Sequence, residues 1–546
     1  MRHLRHYLLL WRTLRWLRPQ QFLGRAWIHL HRPRVDDSAA AAPRAATGGW
    51  LACERGASLT DARTMRFLGT SHEISTAAHW SDADLPRLWL YNAHYFDDLV
   101  ASGAQARSRW HRDLLRRWVI ENPPGTGAGW EPYPTSLRIV NWVKWSWAGN
   151  RLDTPCVHSL AVQARWLRKR LEWHLLGNHL WANAKALVFA GAFFEGDEAG
   201  AWLRRGLSLI DRELQEQVLE DGGHFELSPM YHAIVLEDLL DLVQLGELHP
   251  ALVGEGRTGH WRSTALRMLQ WLRVMSHPDG GIAFFNDATF GVAPDLAALE
   301  DYTARLGLGG ADPACSPLHW LPDSGYARAQ CGPATMIADL GAVGPDYLPG
   351  HAHADTLSFE LSLDRGRVLV NSGISLYEAG AERLRQRGTA AHNTLQLDDG
   401  DSSEVWSSFR VGRRARVRGV ESAVEADHVR IAAEHDGYAW RPGRPIHRRE
   451  WVLSPHRAVV ADTISCRFDT AEVRFHVHPD WSIVVEDCTR GWLQGPSRRI
   501  CWQVGGDASA RACSSTWHPG FGESVQNRVL VVTLRQGRLD TSFSWE

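Results

Sequence analysis

At about residue 320 the sequence changes its period, and that change limits the fold more than any other feature. From about residue 60 to 310 apolar residues recur every three or four positions, the spacing of helices buried on one face. Residues 104–119, 136–148, 158–175, 180–194, 201–219, 229–245 and 261–274 read as helices. Short breaks such as Asn122-Pro123-Pro124-Gly125 and Asp221-Gly222-Gly223 separate them. Helices of similar length on short connections predict stacked helical hairpins. Downstream, residues 334–340, 357–363, 367–370, 429–433, 449–453, 458–464, 472–477 and 529–534 read as strands, many with turn residues between them. That is the pattern of an antiparallel sandwich. Helices first and strands second argue against an alternating α/β sheet. A chain of 546 residues is also too long for one core. The expectation is an α+β multidomain chain with a ligand cleft between its halves.

The net charge of −2 gives no global attraction to nucleic acid. Twenty-seven Trp against ten Tyr suit two uses: packing between helices, or platforms on which sugar faces stack. Eight scattered Cys form no C-x-x-C pair, and the four beyond residue 460 leave room for one or two disulfides there. Eight Arg lie within residues 1–34, and no acid precedes Asp36. The apolar run 7–11 is too short to span a bilayer, and no apolar leader with a small-residue cleavage site is evident. The expectation is a cytoplasmic or membrane-associated protein, with a periplasmic one as the alternative. The basic segment either docks on the protein, frays, or makes peripheral contact with an anionic membrane. Residues 36–47 read as a linker, which gives three parts: 1–47, 48–320 and 321–546.

Chemistry concentrates in Gly350-His351-Ala352-His353-Ala354-Asp355. Read as a strand, it puts His351, His353 and Asp355 on one face, continued by Leu357, Phe359 and Leu361. Asn371 and His392 follow downstream. Imidazoles with an oxygen ligand suit zinc or another borderline metal; the alternative is a hydrogen-bonded network that only ties strands together. In Glu226-Leu227-Ser228-Pro229-Met230-Tyr231, Ser228 is a helix N-cap and Pro229 the first helical residue. Tyr231 then sits in the positive field of the helix start, which favours phenolate modestly. Asn178-His179 opens another helix and either caps it or offers hydrogen bonds to a ligand oxyanion. In the segment 130–142, Ser136 reads as an N-cap. Arg138 and Asn141 share a face near Trp130, where they either line a cleft or serve structure. Asn92, His94 and the pair Asn286-Asp287 are further polar candidates. Phosphate loops, dinucleotide fingerprints, serine-hydrolase elbows and His-Glu-x-x-His are absent from the sequence.

At these residues the chain resembles the heparinase II/III family of polysaccharide lyases. The resemblance runs through Asn178-His179 with Trp181-Ala182-Asn183, then Gly222-Gly223, Glu226 and Ser228-Pro229-Met230-Tyr231-His232. It continues through Gly350–Asp355, Asn371-Ser372-Gly373 and His392-Asn393-Thr394. It implies an incomplete α/α toroid followed by a large antiparallel β-sandwich. It also implies β-elimination on a 4-linked, uronate-containing glycan, leaving a 4,5-unsaturated end. By similarity Asn178 or His179 neutralises the uronate carboxylate. Tyr231 is the general acid and a candidate base, and His351 is the partner base. Asn92, His94, Trp130, Arg138, Asn141 and Glu226 are the candidate substrate contacts. His353, Asn371 and His392 correspond to a site for one divalent ion, zinc or calcium, and no organic cofactor is implied. One departure is Asn371: relatives with a well-formed zinc site tend to have Asp there, and an amide is a poorer zinc ligand than a carboxylate. The implied partner is an anionic poly- or oligosaccharide.

Two other readings are open. A glycoside hydrolase on a toroid needs two carboxylates across a sugar site, with Glu131, Glu226 and Asp287 as possible members. A non-catalytic glycan-binding protein of a polysaccharide pathway would bind without turnover.

Overall fold

The computed structural model describes residues 2–45, 48–309 and 316–546. Seven long helices follow one another in the first half: Ser108–Glu121, Pro132–Trp147, Thr154–Arg168, Gly177–Phe193, Gly196–Gln217, Pro229–Leu248 and Glu255–Val274. Each packs against a neighbour in sequence or the next but one, as in a toroid. Where Gly177–Phe193 meets Gly196–Gln217 the backbones nearly touch. A Cβ on Gly206 would lie 2.8 Å from the Val188 nitrogen, so only glycine admits this approach. Trp118, Trp142, Trp145, Trp181, Trp202, Trp261 and Trp271 are all buried. Packing, not sugar stacking, explains most of the tryptophan in this half.

The second half is a sandwich of two antiparallel sheets. One runs Ala508–Trp517, Val525–Leu534, Ala471–Val477, Gly366–Leu369, Phe359–Leu363, Ala334–Asp339, Tyr326–Cys331, Leu318–Leu321, with Leu395–Leu397 beside Ala471–Val477. The other runs Val417–Val424, Val429–His435, His447–Ser454, Arg457–Ile464, Arg538–Ser544, Arg499–Gly505, Arg490–Gln494, Ser482–Asp487. Along His447–Ser454 every second residue is buried, the signature of a strand with one face inward. Phe359, Trp451, Phe475 and Phe543 meet in the shared core; burying each such ring contributes about 1.5–3 kcal/mol.

Four expectations change. Residues 350–358 are not a strand; regular pairing starts at Phe359. The segment's backbone groups are taken by other partners: Asn286 Oδ1 accepts from the His353 N–H at 3.1 Å, and the Arg387 carbonyl accepts from Ala354 N–H at 2.9 Å. Ser136 is not an N-cap. Its helix begins at Pro132 after Glu131, and its hydroxyl donates to the Pro132 carbonyl at 2.8 Å. Residues 36–45 do not form a free linker. Arg165 donates to the Ser38 and Ala39 carbonyls, and Arg44 to those of Ala192 and Phe194, so this stretch is strapped to the toroid. Among the described residues all seven cysteines are free thiols, including the four beyond residue 460; Cys315 and residues 46–47 lie outside the described residues.

Candidate active site

Three helix starts and one loop converge where the toroid meets the sandwich. The helix Pro229–Leu248 starts as its sequence dictates. Ser228 Oγ accepts from the Tyr231 N–H at 3.2 Å, and its own proton goes to the Asp287 carbonyl at 2.6 Å. One cap therefore ties Tyr231 to Asp287. Asn286, at φ +57°, donates from Nδ2 to the Leu227 carbonyl at 2.8 Å, and its N–H bonds Asp355 Oδ2 at 3.0 Å. It stitches the helical half to the His351–Asp355 loop. Leu176, Leu227 and Leu357 all have positive φ. Each lies within two residues of Asn178, Glu226 or Asp355, and such conformations persist only where surrounding structure imposes them.

Asp287 is the hub. Arg383 donates to both its oxygens, at 2.5 and 2.7 Å; His351 Nδ1 lies 2.9 Å from Oδ2 and His353 Nε2 lies 2.8 Å from Oδ1. Burial opposes the charge on this carboxylate, but the Arg383 guanidinium and the two imidazoles outweigh it and hold its pKa well below the usual range. With Nδ1 directed at Asp287, the basic nitrogen of His351 is Nε2. Nε2 faces Glu226 Oε2 at 3.5 Å. The His351 ring lies on the Tyr231 ring with centroids 3.9 Å apart. The Tyr231 hydroxyl meets that of Tyr377 at 2.9 Å, and Phe409 closes the side of His351 at 5.8 Å.

Tyr231 departs from expectation in one respect. Burial, then Tyr377 and Asp287, push its pKa well above the phenol range, so the helix-start field does not win. Tyr231 rests as a phenol rather than a phenolate. Glu226 is fully enclosed, and burial raises its pKa despite His351 and the nearby Asn178 N–H. Asn178 and His179 stand in the first turn of Gly177–Phe193, where Leu176 and not Asn178 holds the N-cap position. A side chain at Gly177 would strike Glu226 and Leu348, and its φ of +50° adds a second reason for glycine. His179 Nδ1 donates to Glu172 Oε1 at 3.1 Å, and the ring packs on Tyr133 at 4.6 Å. Burial disfavours its charged form, but the Glu172 carboxylate outweighs that and the pKa rises.

The other imidazole pair lies behind this surface. His353 Nδ1 and His392 Nε2 are 3.3 Å apart, the separation of two ligands on a tetrahedral ion with arms of about 2.0–2.1 Å. Asp355 completes a buried group whose ligand atoms lie within 4.8 Å of one another. Burial depresses His353 to a pKa of about 4 and His392 to about 3, so both are neutral, as ligands must be. Asn371, the ligand expected from the sequence, is engaged with the backbone and Ser358. Its Oδ1 accepts from the Asn393 N–H at 3.1 Å and its Nδ2 faces Ser358, so it braces the loop.

The structure brings together Asn178, His179, Glu226, Tyr231, His351, His353 and His392. It places the remaining candidates elsewhere. Arg138 is fully buried, stacked 3.8 Å over Trp118 and bonded to Gln163 and the His94 carbonyl. His94 is spent on Trp80 and Trp118, Asn141 on Tyr95 and Asp97, and Asn92 on the Leu88 carbonyl. Trp130 is buried against Trp118 and Trp166. Arg138, His94, Asn141 and Trp130 brace the toroid wall, and Asn92 is half-buried beside them. Sequence reading names Asp287 as a further polar residue and a possible hydrolase carboxylate, not as the partner of His351, and misses Arg383, Tyr377 and Phe409. Arg383 sits in an arginine-rich stretch with nothing to single it out.

The family model described as heparinase II/III N-terminus matches residues 151–301, and that described as heparinase II/III-like, C-terminal, matches residues 314–546. A heparin-sulfate lyase of Bacteroides thetaiotaomicron is 35% identical over 335 residues, 52% of this chain and 47% of that protein. One of Bacteroides stercoris is 26% identical over 241 residues, 41% of this chain and 36% of that protein. The chain therefore spans half or less of the length of these two lyases. FtsZ-localized protein C of Caulobacter vibrioides is 27% identical over 458 residues, 77% of this chain and 75% of that protein. A crystal structure of heparinase III superposes with a TM-score of 0.67 at 16% identity, covering 97% of this chain and 85% of that one. At that identity the likeness is one of fold.

Proposed function

The chain belongs to the heparinase II/III-like family, and from that premise we propose that it is a carbon–oxygen lyase that cleaves a 4-linked, uronate-containing polysaccharide by β-elimination. The observation that carries the reading is the contact of the Tyr231 phenol with an His351 ring whose other nitrogen is held by the Asp287–Arg383 pair. Asn178 and His179, whose charged form the Glu172 carboxylate favours, take the uronate carboxylate, so that negative charge can spread onto it as the C5 proton leaves. His351 Nε2 accepts that proton, and the resulting imidazolium is stabilised by Asp287. Tyr231, kept protonated by its surroundings, donates to the departing O4. No water enters and no bond is oxidised or reduced. The donor set His353, His392 and Asp355 fits a divalent ion, and two imidazoles favour zinc over calcium. Such an ion would add positive charge behind Asp287 and stiffen the loop that carries His351.

The hydrolase reading loses its carboxylate pair: Asp287 is locked to Arg383 and Glu131 pairs with Arg87, which leaves Glu226 alone. The non-catalytic reading draws support from the enclosure of the site, where Glu226, Tyr231 and Asn178 are all buried. The test is incubation with unsulfated and sulfated uronate glycans while ultraviolet absorbance of a conjugated double bond is followed. Turnover abolished by Tyr231→Phe is expected. New reducing ends without that absorbance, or tight binding without turnover, would overturn the lyase reading.

A further inference from the structure

The two N-terminal helices, Arg2–Leu14 and Pro19–Leu30, have one face fixed to the protein. Arg12 donates to Glu404 at 3.0 Å, and Thr13 Oγ1 accepts from Trp406 Nε1 at 3.1 Å. Arg18 pairs with Glu216 and lies 3.6 Å over the Tyr347 ring, and Gln21 donates to the Tyr347 carbonyl at 3.2 Å. Gly24 presses on the backbone of Trp173 and His174.

Other large apolar side chains of these helices are exposed, although Trp27 stacks on His31 at 4.1 Å. Tyr7, Trp11 and Leu14 fall at i, i+4 and i+7 on the first helix; Phe22, Leu23, Trp27 and Leu30 form a stripe on the second. Trp11, Leu23, Trp27 and Leu30 are 59%, 71%, 55% and 84% exposed. Large apolar groups exposed together along each helix mark a binding surface. Arg15, Arg25, Arg32 and Arg34 are exposed around it, and no acid occurs before Asp36. Among the described residues no helix is long and apolar enough to cross a membrane. A second copy seated here by a two-fold axis would bring like charges together.

We propose that this face lies in the interface of an anionic bilayer, with Trp11, Leu23, Trp27 and Leu30 at the headgroup boundary and the arginines on lipid phosphates. The second helix is fixed to Tyr347, four residues before His351, so docking holds the loop that carries His351 close to the lipid surface.

The test is co-sedimentation of the full chain with phosphatidylcholine vesicles, with and without phosphatidylglycerol. Binding only to the anionic vesicles, weakened by salt, is expected. A Trp11→Ser/Leu23→Ser/Trp27→Ser variant should bind at least about tenfold more weakly, as should Arg15→Glu/Arg25→Glu; all these side chains are exposed, so thermal stability should hold. No binding to anionic vesicles overturns the proposal, as does equal binding by the triple variant. A wild-type dimer that the triple variant dissolves, with neither binding vesicles, assigns the face to a second copy instead.

Discussion

Asp287→Asn should separate what holds the site together from what makes it react. The change is nearly isosteric, at a carboxylate with no exposure that faces a guanidinium with none. It leaves Arg383 as a buried cation without a counter-charge, which costs about 3–5 kcal/mol. It also deprives His351 Nδ1 of its anionic acceptor at 2.9 Å. Loss of such an orienting carboxylate typically lowers turnover about 10⁴-fold through the wrong tautomer. The double variant Asp287→Asn/Arg383→Met removes both charges and should recover most of the lost stability, because a buried pair replaced by neutral groups is often near neutral. It should recover none of the activity. Urea denaturation measures the first quantity and unsaturated-product formation the second. A double variant with turnover within about threefold of wild type would show that Asp287 does not orient His351. A single variant as stable as wild type would show that Asp287 is not the counter-charge of Arg383.

Tyr231→Phe keeps the ring contact with His351 and should leave urea stability within about 1 kcal/mol; unsaturated product should fall at least about 10³-fold, and unchanged turnover removes Tyr231 from proton transfer. His94 is held neutral, because burial and Arg138 depress it to about 3 and its Nδ1 accepts from Trp118 at 3.0 Å. The unfolded chain titrates near 6.5, so below that pH the unfolded state takes up the proton first. His94 then forfeits about 1.4 kcal/mol of stability per pH unit until the folded value is reached. His94→Gln should flatten the urea-midpoint profile between pH 6.5 and about 4 by that amount, and an unchanged slope would refute the assignment. Adding zinc should raise the thermal midpoint of wild type but not of His353→Ala/His392→Ala. Ser228→Ala should cost about 1 kcal/mol as a lost cap, read by denaturant midpoint, and should lower turnover too, since the same hydroxyl reaches the Asp287 carbonyl.

Much of the fold was readable. The helices Pro132–Trp147 and Gly177–Phe193 announce themselves by spacing, and Ser228-Pro229 marks a helix start correctly. The strand reading of residues 350–358 failed because alternation of polar and apolar residues there reflects side chains turned to different partners, not a pleat. Arg138 and His94 read as ligand contacts because a polar residue among aromatics looks the same in sequence whether it faces a cleft or a bonded interior. Asp355 shared a sequence segment with His351 and His353, yet its place beside His392 rests on a turn at Leu357 with φ of +59°.

Sequence alone determined the order of helical and β halves, the capped start that presents Tyr231, and the histidines that could matter, because period and capping act over three or four residues. Tertiary structure decided that Asp287 and Arg383, 96 residues apart, form the charge pair beneath His351. It also decided that Tyr231 stays protonated and that Asp355 joins His353 and His392. Those outcomes depend on which groups leave water together, and desolvation is a property of the assembled interior rather than of any stretch of chain.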